Sequence, residues 1–137
     1  MNRRFAFIIV FVAVLLVGVT ALAQQHRAYN LIMKDIGPTF ASLKKNLDAN
    51  SGAGAAEDAA KLEKLFAETE AFWAPLNTGD AVGYAKKARE ASAAVGAAAK
   101  NNDIKAAQAS IATVQKSCGL CHFSHREETD KGFLIKP

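Results

Sequence analysis

Aromatic residues are scarce in this sequence, 8% of 137, which excludes a large aromatic core. Half of the residues are hydrophobic, with alanine foremost, so the interior is expected to come from closely packed helices. The chain beyond residue 23 lacks the alternation of apolar and polar residues that marks strands. It also lacks an internal repeat and a Lys/Arg-rich block, so nothing in it suggests nucleic-acid binding. This length has room for one domain. A domain below roughly 150 residues buries a limited share of its surface, so a bound group can matter to its stability. Cysteine is confined to one stretch, "KSCGLCHFSHREE" at 116–128, which holds both.

The N-terminus reads as separate from that domain. Arg3 and Arg4 are followed by an apolar run from Phe5 to Val19, then by "ALA" at 21–23. This is the charge, core and cleavage-site order of a secretory signal peptide. The competing reading is a membrane anchor, because the run approaches the ~20 residues that a spanning helix needs. Cleavage after Ala23 would take two arginines and no acidic residue, lowering the net charge from +4 to +2. The expectation is an exported, periplasmic domain over 24–137.

Four helices are expected in it. Tyr29, Met33, Ile36, Phe40, Leu43 and Leu47 recur at spacings of 4, 3, 4, 3 and 4 between Gln25 and Asp48, one apolar seam of a helix. Pro38 lies inside and should bend it near Gly37. "DANSGAGA" (48–55) reads as a loop. A second helix over Ala56–Ala74 turns Leu62, Leu65, Phe66, Thr69, Phe72, Trp73 and Leu76 inward. "APLNTGD" (74–80) is a turn, with Asp80 as cap of a third helix over Ala81–Lys100, where Tyr84, Ala88, Ala91, Val95 and Ala98 face in. After "KNND", Ile104, Ala107, Ile111, Val114, Cys118, Cys121 and His125 form the seam of a fourth. Short connections favour an antiparallel up-down-up-down bundle. The tail beyond Thr129 is expected to fray.

Three chemistries compete for Cys118-Gly-Leu-Cys121-His122. A redox dithiol normally sits at a helix start near a βαβ pattern, where the dipole lowers the thiol pKa; this motif lies near a helix end. Zinc would find three ligands here and needs a fourth. His125 could be recruited, but Cys121 and His122 diverge by ~100° around a helix. The third is covalent haem: Cys-x-x-Cys-His is the attachment sequence of c-type haem. Thiols at i and i+3 share one helix face, and the export signal agrees. A non-haem bundle with a structural disulfide is a further alternative.

With "CGLCHFSHRE" on the last of four helices and "FWAPLNTGD" closing the second, the chain resembles the class II c-type cytochromes, the cytochrome c′ family. Their pattern is Cys-x-x-Cys-His-x-x-Tyr-Arg, and His125 stands here at the tyrosine position. The resemblance implies one haem c inside the bundle, held by Cys118 and Cys121, with His122 on the iron and Arg126 near a propionate. It also raises a homodimer through the outer faces of the first two helices.

In that family an apolar residue on the first helix leaves the iron open to NO or CO, whereas a methionine closes it. "NLIMKDIG" (30–37) resembles the methionine-ligated branch and assigns Met33. Alignment on Arg27 would instead place Leu31 over the iron. The two point about 200° apart, and only Met33 lies on the seam. His26 is a third candidate. Phe72 and Trp73 could wall the pocket, His125 could pack or hydrogen-bond on the proximal side, and the lysines at 44–45 and 86–87 read as solvated faces. The sequence-based expectation is a one-electron carrier between redox-partner proteins. The alternative is a five-coordinate, gas-binding protein. No acid/base pair or nucleophile constellation stands beside the motif, so an enzyme is not expected.

Overall fold

The computed structural model describes residues 27–130 and 132–136. The expected signal peptide, residues 1–23, and His26 lie outside the described residues. Four helices pack against one another: α1 (Tyr29–Asp48), α2 (Gly52–Trp73), α3 (Gly79–Lys100) and α4 (Ile104–His125). A 3₁₀ turn, Ala74–Leu76, follows α2, and strands β1 (Arg126–Thr129) and β2 (Gly132–Ile135) follow α4. Neighbours in sequence are neighbours in space, with α3 packed between α2 and α4, while α1 lies mainly on α2.

The connections are built alike. Asn50, Asn77 and Asn102 take left-handed backbone angles, φ 54°, 56° and 56°, which asparagine tolerates better than most residues. After α1, the Ser51 N–H reaches back to the Asn46 carbonyl at 2.8 Å; after α3, the Asp103 N–H reaches Ala98 at 2.9 Å. Both bonds satisfy carbonyls that a helix end leaves without partners. Asp103 then caps α4, its side chain accepting from the Ala106 N–H at 3.0 Å.

Several boundaries differ from the sequence reading. α1 starts at Tyr29 rather than Gln25: Arg27 and Ala28 are not helical, and the Arg27 guanidinium holds the Leu31 carbonyl at 2.9 Å and Asp35 at 2.7 Å. The helix runs on through Pro38. The expected loop at 48–55 shrinks to residues 49–51, because Gly52, Ala55 and Ala56 are buried as the first turns of α2. Gly52 is required there: a Cβ would stand 2.7 Å from the Ala99 carbonyl oxygen. Leu76, expected inward, is exposed on the 3₁₀ turn.

The end of the molecule near the 49–51 and 101–103 connections is solid. Leu43, Leu47, Leu62 and Val95 are fully buried there with Ala55, Ala59, Ala99 and Ala107, and each such Leu or Val stabilises the fold by roughly 1.5–3 kcal/mol. Gly96 faces Ala59 across the α2–α3 contact, where a Cβ would meet that of Ala59 at an ordinary 3.5 Å. The tail does not fray. Arg126↔Ile135 through Thr129↔Gly132 pair as an antiparallel hairpin, and the Lys136 N–H continues it by donating to the His125 carbonyl at 3.0 Å. The last turn of α4 thereby gains a partner for one of its carbonyls. Alternation in a four-residue strand is too short a signal to separate from a loop.

Candidate functional site

At the other end the helices enclose a cavity of about 860 Å³, lined by all four helices and by β2. Its walls are mainly apolar. α1 contributes Tyr29, Met33 and Ile36, α2 Phe66, Thr69 and Phe72, and α3 Tyr84, Ala85 and Ala88. α4 brings Ser117, Cys118, Cys121, His122 and His125, and the hairpin closes one side with Phe133, Leu134 and Ile135.

Both cysteines are free, Cys118 half-buried and Cys121 buried. They stand one turn apart on α4 and line the same cavity. Burial pushes the Cys118 thiol up to about 11, with Cys121 adding to it. Burial also raises Cys121, and the Asp80 carboxylate reinforces the shift. A nucleophilic dithiol needs the opposite environment. Among the described residues no three His, Cys, Asp or Glu side chains converge as metal ligands, which leaves the zinc reading without a site. Burial, and after it the Arg126 guanidinium, lowers the His122 pKa, so its imidazole is held neutral, the state in which it can bind iron.

On α1 the competing ligands separate. Met33 is half-buried against the core and lines the cavity. Leu31 is 47% exposed and does not line it. Ile32, absent from the seam read in the sequence, is 1% exposed. The apolar face of α1 is thus wider than a 3-4 repeat at this end, spanning Tyr29, Ile32, Met33 and Ile36.

The aromatic residues gather beside the motif. Tyr29 stacks on Phe72 with centroids 4.5 Å apart, and Trp73 meets both rings edge-on at 5.5 Å. Trp73 is fully buried, and its indole N–H donates to the Tyr29 hydroxyl at 3.2 Å. Burial is the main cause that pushes Tyr29 up to about 12. This α1–α2 bond joins residues 44 positions apart, and no spacing rule could have found it.

Two polar residues take unexpected parts. Asp80 is not the cap of α3, whose capping position is Thr78; the Thr78 hydroxyl makes no capping bond and donates to the Trp73 carbonyl at 3.3 Å. The Asp80 carboxylate instead meets His125 Nε2 at 3.0 Å, and that hydrogen bond holds it below the usual carboxylate range. The other ring nitrogen of His125, Nδ1, lies 2.9 Å from the Lys136 carbonyl oxygen. His125 also tilts against Trp73 at 5.0 Å. Arg126 is exposed at the cavity rim, its guanidinium carbon 4.1 Å above the Phe133 ring. Lys44, Lys45, Lys86 and Lys87 are all exposed.

The residues present suit a covalently held porphyrin. The volume falls within the ~300–1,000 Å³ of cofactor pockets, and the lining is apolar. Two thiols and a neutral imidazole lie on one wall, a thioether on another. The chain matches no protein-family model, no curated protein and no solved structure.

Proposed function

We propose that the chain is an exported one-electron carrier, whose antiparallel up-down-up-down bundle would hold one haem c through Cys118 and Cys121, with His122 and Met33 as the residues that would bind its iron. The observation that carries this reading is the shared cavity: both thiols, His122 and Met33 line it, whereas Leu31 faces solvent. Iron held by histidine and methionine has a raised reduction potential and exchanges single electrons. The chain's own part is positional. α4 presents two protonated thiols and a neutral imidazole on adjacent turns. Tyr29 and Phe72 wall the pocket with apolar rings, and Arg126 sets a positive charge at its rim, suited to a propionate. Redox-partner proteins would meet the rim, and residues 1–23 would direct export and be removed. No helix among the described residues is long and apolar enough to cross a membrane.

Visible absorption of the haem-loaded protein, ferric and ferrous, with and without CO, tests this. The expected result is a low-spin spectrum that CO leaves unchanged, and a Met33→Leu variant that becomes high-spin and binds CO. A wild-type spectrum that shifts with CO would reassign the protein to gas binding with an open sixth position. A colourless protein would overturn both.

A further inference from the structure

His125 has acceptors at both ends. Nδ1 faces a backbone carbonyl at 2.9 Å and Nε2 a carboxylate at 3.0 Å. A neutral imidazole carries one N–H and can serve only one of them; the imidazolium carries two and serves both. Those acceptors belong to different parts of the fold, Asp80 to α3 and Lys136 to the end of the hairpin. The His125 side chain is 9% exposed while that of Asp80 is 53% exposed, so water can replace the imidazole at Asp80 far more readily than it can reach the ring.

Apart from its own ladder and the Lys136 N–H bond to the His125 carbonyl, the hairpin is largely exposed. Its Phe133, Leu134 and Ile135 are 58%, 59% and 41% exposed while lining the cavity. An isolated two-stranded hairpin is marginal in water. We propose that His125 is a protonation-operated latch, closing the C-terminal hairpin over the cavity as an imidazolium and releasing it when neutral. The latch goes beyond the electron-carrier reading and does not depend on the cofactor, since all three of its groups belong to the chain.

The surroundings agree with this assignment. From α2, His125 meets the uncharged Trp73 ring, and behind that lies the Tyr29 hydroxyl of α1, which stays neutral. On its own helix the Cys121 thiol is protonated and Arg126 turns to Phe133. The hairpin meets it through the Lys136 backbone, and Asp80 is its anionic partner. The sign follows. The latch is closed with a proton on each ring nitrogen and weakens when one of them is lost at higher pH. On the acid side it fails only below the lowered Asp80 value.

Amide hydrogen exchange of residues 132–136, measured on the purified full chain between about pH 5.5 and 8 and corrected for intrinsic rates, reads the latch directly. Protection should fall about tenfold or more across that range, the worth of one charge-assisted hydrogen bond. His125→Gln should show low protection that does not change with pH. Asp80→Asn gives the sharper result. Its amide donates to the neutral Nε2 while Nδ1–H still serves Lys136, so protection should stay level to pH 8. Flat protection in the wild type, or loss in Asp80→Asn that parallels the wild type, would overturn the latch. Should His125→Gln fail to fold, the other two chains decide. A visible spectrum of each sample reports the haem separately.

Discussion

At the scale of the residue, the side chains of the Cys-x-x-Cys-His motif line one cavity together with Met33. Cys118, Cys121 and His122 could be read directly because helical spacing alone puts them on one wall. Met33 was separable from Leu31 by its place on the seam, and their burial follows it. Asp80 and His125 were not legible in the same way. Each had a sufficient local explanation, a cap and a packing residue, and the bond between them spans 45 positions. The thiols yield a testable pH dependence. Cys118 is held at about 11 against an ordinary 9.0. Its raised value favours the folded form fully below the unfolded pKa, and that contribution is lost as pH rises from about 9 to 11. Chain prepared without haem should therefore lose denaturation midpoint across that window, and Cys118→Ser should flatten part of the loss. Urea titrations at stepped pH would show it.

Among the elements, helix existence was legible and helix ends were not. The 3-4 spacing reports which face is buried: on α4 Ala107, Val114, Cys121 and His125 are buried and Ile111 and Cys118 half-buried, with Ser117 buried beside them. Glycine and alanine at 52–56 suggested a loop because their low hydrophobicity hides the packing they permit. Only the neighbouring backbone of Ala99 shows why Gly52 is needed. Gly52→Ala should cost about 1–3 kcal/mol by overpacking, against the small gain that alanine normally brings inside a helix. Chemical denaturation of the pair would settle the sign; a stabilised variant would mean that the α2–α3 contact gives way. The hairpin was missed for a different reason: its strands are short and its apolar residues remain exposed, so no pattern marks it.

The whole molecule divides into a solid end and a hollow end. Leucine, valine and alanine fill the first without help, while the second encloses about 860 Å³. A Cys118→Ala/Cys121→Ala chain, which on the proposed reading could not attach haem, should keep helical circular dichroism from the solid end. It should melt earlier and less cooperatively than the loaded protein, because a bound group stabilises the form that binds it. Equal melting curves would show that the cavity walls hold each other. The alanine seam between α2 and α3 has a mechanical consequence as well. Alanine has no rotamer to lose and no side chain long enough to interlock, so that contact is smooth. Small translations along it cost little repacking, which is the shear mode of packed helices. The meshed rings of Tyr29, Phe72 and Trp73 oppose such sliding. Bundle motion is therefore expected to gather at the far, smooth end. The aromatic wall of the cavity stays still, which on the proposed electron-carrier reading leaves little to rearrange when the charge changes.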